Sequence, residues 1–161
     1  MNILFYIFSI VFIIGLDQYS KKLINLIIEP GSNIELINNF LYFTNIKNHG
    51  AGFSILQNQR LLLIIVPLIL MIILFYYLIK NNKKLNILNI ISFIFIIGGG
   101  IGNLIDRIRL GFVTDFIDVK IFSYHYPTFN IADSFVTIGA ILLFIYLAID
   151  SKKNGKSKNN S

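Results

Sequence analysis

The sequence contains no cysteine, which excludes disulfide bonds, thiolate metal sites and a cysteine nucleophile. Charged residues are also scarce, at 14% of the 161 residues, whereas apolar residues make up 55%. With a mean hydropathy of +0.72, this composition is more apolar than that of a soluble domain and indicates one membrane domain. The formal charge of +6 does not favour nucleic-acid binding, because the basic residues adjoin hydrophobic segments and form no stripe interleaved with aromatic residues.

Two catalytic signatures are missing as well. The sequence has neither a GxSxG nor an HExxH motif. Its two histidines, His49 and His125, have no spacing typical of metal ligands, either with each other or with nearby carboxylates. We therefore expect no zinc peptidase site and no cofactor.

Hydrophobic segments predict a mainly α fold with four membrane-spanning helices. A helix needs about 20 mainly apolar residues to cross the hydrocarbon core, because its backbone polar groups must be satisfied internally. The first span reaches this length only by continuing through Asp17 and Lys21, which would then lie in the membrane or at its rim. A cleaved signal peptide is the alternative for this segment, but it has no basic n-region and no small-x-small site follows. The four predicted spans are at about 3–28, 61–79, 85–105 and 131–149.

Clustered lysines predict the orientation of these spans. The positive-inside rule assigns lysine-rich loops to the cytoplasm, and hence both termini of this chain. Residues 1–150 then form one membrane-embedded domain, and the polar tail at 151–161 is predicted to be disordered. The lysines concerned are Lys80, Lys83 and Lys84 between spans two and three, and Lys152, Lys153, Lys156 and Lys158 in the tail.

This orientation gathers the polar residues at the outer side of the membrane. Seven of the eight acidic residues fall on or near that side, as do Asn48, Asn103 and Asn130. Polar groups beside lipid are costly unless they have a function. The asymmetry predicts a functional site at the outer edge of the bilayer.

Strand-like patterns occur in the two outer segments, 29–60 and 106–130. Residues 33–46, rich in Ile, Leu, Phe and Tyr, predict a short strand or hairpin. In a strand over 111–122, Asp115 lies among aliphatic side chains, whereas Asp118 shares its face with Lys120. Apolar neighbours would raise the pKa of Asp115, which makes it the better catalytic candidate. An isolated Asp in a loop more often ends or caps a strand.

A second carboxylate, Asp133, is the third residue of the last apolar span and would lie just below the outer rim. It could cap the helix or pair with Arg107. Two carboxylates held a few ångströms apart share a proton, so that one acts as acid and the other as base toward a water. Asp115 and Asp133 could therefore form the catalytic pair of an aspartic peptidase.

Other polar residues have spacings that suit a supporting role. Asn103, Asp106 and Arg107 share one helix face at i, i+3 and i+4, and Asn130 precedes Asp133 by three residues. Asp17 and Lys21 stand at i, i+4, either as a neutralising pair or facing a substrate. Four glycines include a GxxxG spacing, which predicts close helix packing rather than phosphate binding: Gly98, Gly99, Gly100 and Gly102.

Five motifs in order resemble those of signal peptidase II, the lipoprotein signal peptidases, over the whole chain except the tail. The family motif D-Q-x-[ST]-K is similar to Asp17-Gln18-Tyr19-Ser20-Lys21, and N-x-G-A-A-F is similar to Asn48-His49-Gly50-Ala51-Gly52-Phe53. The motif G-N-x-x-D-R resembles Gly102-Asn103-Leu104-Ile105-Asp106-Arg107. The last two motifs, V-x-D-F and F-N-x-A-D-S, resemble Val113-Thr114-Asp115-Phe116 and Phe129-Asn130-Ile131-Ala132-Asp133-Ser134.

The resemblance implies a metal-free aspartic peptidase of the bacterial cytoplasmic membrane, with a small extracytoplasmic β-structured cradle. It would be a monomer, cleave diacylglyceryl-modified prolipoproteins before the lipidated cysteine, and be inhibited by cyclic peptides such as globomycin. Asp115 and Asp133 would be catalytic. The positions that would bind substrate or support the site are Asp17, Lys21, Asn48, Gly50, Asn103, Arg107, Asn130 and Ala132. The chain departs from the family at Gly52, which replaces an alanine and could loosen the substrate fit, and at the extra glycine Gly100.

A small proton-coupled transporter or channel subunit is the main alternative, with Asp17, Lys21 and Asp133 as a relay. A relay requires ionisable residues through the depth of the bilayer, whereas the acids here cluster at one side and spans two and three carry no charge. A purely structural assembly protein would explain the GxxxG spacing but not the carboxylates.

Overall fold

The computed structural model describes residues 3–50, 59–122 and 124–159, with the backbone alone for 152–159. Within this part of the chain, four helices and a small antiparallel sheet confirm the predicted fold class. The elements are α1 (Ile3–Ile27), β1 (Asn33–Ile37), β2 (Leu41–Asn48), α2 (Arg60–Lys80), α3 (Ile87–Arg109), β3 (Val113–Ile121), β4 (Tyr124–His125) and α4 (Ile131–Asn159).

All four helices are long and apolar enough to span a membrane, so the chain is a multi-pass membrane protein. Helix α3 is the central one: 61% of its apolar window is buried inside the protein, against 11–22% for the other three. The remaining helices therefore present most of their apolar surface to lipid.

Glycines explain why α3 can lie at the centre. A Cβ atom at Gly98 would lie 2.9 Å from Cγ2 of Ile13 in α1, and one at Gly100 would lie 2.5 Å from Sδ of Met71 in α2. A Cβ atom at Gly99 would clash with the backbone carbonyl of Ala132 in α4. Three helices thus approach α3 where it has no side chain, which confirms the predicted packing role of the glycine run.

The ends of two helices differ from the prediction. Helix α3 begins at Ile87 rather than 85, because the side chain of Asn86 caps it by accepting a hydrogen bond from the Asn89 amide at 2.9 Å. It continues to Arg109, so residues 106–109 are helical and not part of the outer segment predicted from 106. Helix α4 extends to Asn159, beyond the predicted end of the span at 149 and into the segment from Ser151 that the sequence predicts to be disordered. Adding a residue to an existing helix costs less free energy than starting a new helix.

The four strands form one antiparallel sheet in the order β1-β2-β3-β4. The β1–β2 hairpin confirms the strand or hairpin predicted at 33–46, and β3 confirms the strand predicted at 111–122. Pairing of Asn48 with Val113 and of Ile46 with Asp115 brings two site candidates to the same end of the sheet. Ile24 and Ile28, at the end of α1, pack against Phe116 of β3 and so fix the sheet to the helices.

Candidate active site

Asp115 of β3 and Asp133 of α4 line one cavity of about 480 Å³. Asp133 lies in the first turn of its helix, and Asp115 lies in the half of β3 nearest the helices. The cavity is thus formed between the sheet and the bundle, and the structure brings the two predicted carboxylates together. Its lining includes three further predicted residues: Asn48, Asn103 and Arg107.

Asn130 contacts both carboxylates. Its side-chain Nδ2 donates to Oδ1 of Asp115 at 2.7 Å, and its backbone amide donates to Oδ2 of Asp133 at 3.2 Å. The Asp133 amide donates in return to Oδ1 of Asn130 at 2.9 Å. This reciprocal pair is a capping box at the start of α4, so Asp133 has the capping role considered from the sequence and also faces the cavity.

Every oxygen of the two carboxyl groups accepts a hydrogen bond. Asn48 Nδ2 donates to Oδ2 of Asp115 at 2.8 Å, and Asn103 Nδ2 donates to Oδ1 of Asp133 at 2.7 Å. Asn130 supplies the other two bonds and also donates to Oδ1 of Asn103 at 3.1 Å. Three asparagines from β2, α3 and the start of α4 therefore fix the planes of both carboxyl groups.

The pKa of Asp115 is raised from 3.8 to about 6, as the apolar pattern around it predicted. Burial is the largest cause, because the residue is only 2% exposed and its charged form loses hydration. The negative charge of Asp133 is the second cause, while the hydrogen bonds from Asn48 and Asn130 act in the opposite direction. Asp115 therefore binds a proton near neutral pH much more readily than an ordinary aspartate.

Arg107 lies on the helical face predicted for it and is half-buried. Its Nη2 donates to the carbonyl oxygen of Gly50 at 3.0 Å. The Gly50 amide donates to Oδ1 of Asn48 at 2.9 Å, which joins the end of β2 to this arginine. The Nε of Arg107 is buried and has no hydrogen-bond partner among the described residues.

Asp17 and Lys21 lie in the interface between helices and are not among the residues that line the cavity. The Lys21 ammonium, 3% exposed, is 2.8 Å from both Oδ2 of Asp17 and Oδ2 of Asp106, and it donates to Oδ1 of Asn103 at 2.9 Å. Oδ1 of Asp17 accepts the Ala132 amide at 3.0 Å. Of the two roles left open by the sequence, the neutralising pair fits this placement, and it joins α1, α3 and α4 behind the cavity.

Some residues of the site were not predicted. Residues 126–129, together with Ser134 and Thr137 of α4, also line the cavity. Thr137 follows Asp133 by four residues, so helical spacing could have identified it. Asp118 does not line the cavity; its carboxylate lies 3.0 Å from Nδ1 of His125, a contact produced by the pairing of β3 with β4.

Two further expectations concern a metal site and the effect of Gly52. No three His, Asp or Glu side chains are grouped to hold a metal ion in the part of the chain that the structure describes. The expectation that Gly52 affects substrate fit concerns a residue outside the described ranges, as do the neighbouring positions Ala51 and Phe53.

Comparison with known proteins gives one family. A family model described as signal peptidase (SPase) II matches residues 9–149. One solved bacterial membrane enzyme, determined by the in meso method at 2.3 Å resolution, is 38% identical with a TM-score of 0.87, over 94% of this chain and 92% of that chain. A second such structure, at 1.9 Å, is 39% identical with a TM-score of 0.80, over 90% of this chain and 93% of that chain.

Proposed function

Because the chain belongs to the signal peptidase II family, and is thus a membrane peptidase that acts on the signal peptides of lipoproteins, we propose that it is an aspartic endopeptidase. Its substrates are diacylglyceryl-modified prolipoproteins, which it cleaves before the lipidated cysteine. The observation that carries the proposal is the cavity between sheet and bundle, lined by Asp115 and Asp133 and bridged by Asn130.

In the proposed reaction, the Asp115–Asp133 pair carries one shared proton, a property of the pair rather than of one residue. The ionised carboxylate removes a proton from a water, and the resulting hydroxide attacks the scissile carbonyl carbon. The protonated carboxyl group donates its proton to the carbonyl oxygen. The carboxyl group that took up the water proton then donates it to the amide nitrogen. The C–N bond breaks while a hydroxyl of the diol returns a proton to the other carboxylate, which gives the acid and amine products and restores the shared proton. The raised pKa of Asp115 supports this scheme, because one proton must be held near neutral pH.

The surrounding residues have proposed roles in holding this pair. Asn48, Asn103 and Asn130 orient the carboxyl groups through the bonds described above. Arg107 lines the cavity and carries a positive charge there, which suits its guanidinium to bind a substrate carbonyl. Four other residues support the site from behind or beside it: Asp17, Lys21, Gly50 and Ala132.

The sheet and the cavity are proposed to face outward from the bacterial cytoplasmic membrane, with both termini in the cytoplasm. The end of α2 that is remote from the sheet is Lys80, and Lys83 and Lys84 follow it. These lysines support this orientation under the positive-inside rule. We propose that residues 1–150 act as one peptidase domain in a monomer, and that a cyclic peptide such as globomycin binds in the cavity. The transporter alternative gains no support, because the buried lysine of the bundle, Lys21, is neutralised locally by Asp17 and Asp106.

Cleavage of a lipidated prolipoprotein by the detergent-purified chain, with EDTA present, tests the proposal. Asp115→Asn and Asp133→Asn should each reduce the rate by about 10³-fold, because each removes one member of the acid–base pair. Asp118→Asn is the matched control, since Asp118 lies on the same strand but does not line the cavity, and it should retain most of the activity. An active protein that lacks both Asp115 and Asp133 would contradict the mechanism.

A further inference from the structure

Arg60, the first residue of α2, binds the end of a different helix. Its Nε donates to the carbonyl oxygen of Arg107 at 3.1 Å, and its Nη2 donates to that of Ile108 at 2.9 Å. Carbonyl groups in the last turn of a helix have no partner within the helix. The guanidinium of Arg60 therefore supplies hydrogen-bond partners for two carbonyl groups in the last turn of α3.

The same turn begins a series of hydrogen bonds that ends at Asp115. From this turn, Nη2 of Arg107 donates to the Gly50 carbonyl at 3.0 Å. The Gly50 amide donates to Oδ1 of Asn48 at 2.9 Å, and Nδ2 of Asn48 donates to Oδ2 of Asp115 at 2.8 Å. Each bond starts from the residue that receives the preceding one, and the series runs from the exposed Arg60 to a buried carboxyl group.

We propose that Arg60 is a positioning residue for the peptidase reaction. By holding the last turn of α3, it determines where Arg107 holds the backbone of Gly50 and, through Asn48, how Asp115 is oriented. This inference rests on the proposed function. If Arg60 were only a local cap, its loss would loosen the end of α3 and leave Gly50 unaffected.

The chain offers a matched control for the charge of Arg60. Arg109 is also an exposed arginine at the same end of α3, and no carbonyl bond of this kind is made by its side chain among the described residues. Arg60→Gln and Arg109→Gln remove the same charge from the same region, but only the first removes the two bonds to α3. Arg60→Lys keeps the charge and can restore one of those bonds, because an ammonium lacks the fork of the guanidinium.

The first measurement is hydrogen exchange of the Gly50 amide, by NMR of the full-length chain in detergent micelles. Arg60→Gln should speed this exchange about tenfold, the change expected from the loss of one hydrogen bond of ordinary strength. Arg109→Gln should match the wild type, and Arg60→Lys should lie between. Unchanged exchange at Gly50 in a folded Arg60→Gln protein would overturn the proposal.

The second measurement is the steady-state cleavage of a lipidated prolipoprotein. Arg60→Gln should lower kcat about tenfold with KM within about twofold, since orientation of Asp115 affects chemistry more than binding. A fall in activity explained by loss of folded protein alone would also overturn the proposal. If the wild type cleaved no prolipoprotein while Gly50 exchange still responded to Arg60, the proposed function would fail and the coupling of Arg60 to the site would stand.

Discussion

The side chain of Asn130 donates a 2.7 Å hydrogen bond to Asp115, although Asp115 lies in a strand and Asn130 at the start of a helix. Because Asn130 also takes part in the capping box with Asp133, the start of α4 and the orientation of Asp115 depend on the same residue. The predictions below follow from this arrangement and from the packing around it.

Replacement of Asn130 should separate its two roles. Serine is a good N-cap residue but has no amide that reaches Asp115, whereas alanine serves neither purpose. Asn130→Ser and Asn130→Ala should both lower kcat at least about tenfold through the lost bond to Asp115. Asn130→Ala should also have a free energy of unfolding about 1 kcal/mol lower than that of Asn130→Ser, because alanine does not cap the helix. Activity and thermal unfolding of both variants test this, and wild-type kcat in the serine variant would refute the role of the amide.

The raised pKa of Asp115 should make the wild type lose stability as the pH rises. The folded protein binds the proton of this group more tightly than the unfolded chain does, because the folded pKa is about 6 and the ordinary value is 3.8. Protonation of Asp115 therefore contributes about 3 kcal/mol to the free energy of unfolding below about pH 4. This contribution is lost as the pH rises through about 6.

Asp115→Asn removes this titration and provides the comparison. Its melting temperature relative to that of the wild type should rise between pH 4 and pH 8, as measured by thermal unfolding in detergent. A difference that stays constant over this range would show that Asp115 does not have a raised pKa in the folded protein.

Lys21 should be needed for stability because it is the cation shared by two buried carboxylates. Lys21→Met leaves Asp17 and Asp106 without their shared cation and should lower the free energy of unfolding by about 3 kcal/mol or more. The double variant Lys21→Met/Asp106→Asn should recover part of the loss. Lys22→Met is the control, because Lys22 is the exposed neighbour on the same helix. Equal thermal stability of the two single variants would contradict this account.

Gly99 should be intolerant of even one methyl group. A Cβ atom there would clash with the Ala132 backbone carbonyl, which cannot rotate away as a side chain could. Gly99→Ala should therefore separate α3 from α4, moving Asp133 away from Asn103 and reducing both stability and cleavage. Gly15→Ala is the matched control, since nothing lies within 4 Å of its added methyl group. It should be neutral or stabilising by up to about 1 kcal/mol. Equal melting temperatures for the two variants would count against the close α3–α4 contact.

The sequence predicted those parts of the site that are exceptions to a local pattern. Asp133 interrupts an apolar span and Asp115 interrupts an aliphatic strand face, so each is identified by its neighbours alone. The GxxxG spacing likewise predicted close packing of α3. The identity of each partner was only partly predictable, as the two roles left open for Asp17 and Lys21 illustrate.

The parts that were not predicted depend on contacts between distant segments. Arg60 binds carbonyl groups that follow it by 47 and 48 residues, and nothing in the residues around Arg60 indicates this. His125 meets Asp118 only because β4 pairs with β3. The end of α4 could not be placed either, because a helix that has left the membrane has no hydrophobic pattern to mark its last turn.

The capping box of Asn130 and Asp133 limits how resistance to an inhibitor could arise. A compound that binds Asp133 contacts a side chain that α4 also needs to form its first turn. A substitution that abolishes the contact with the compound would weaken the start of the helix at the same time as it impairs the reaction. Variants that resist the compound should therefore appear first at cavity residues that are not needed to form the first turn of α4, such as Thr137 or the segment 126–129.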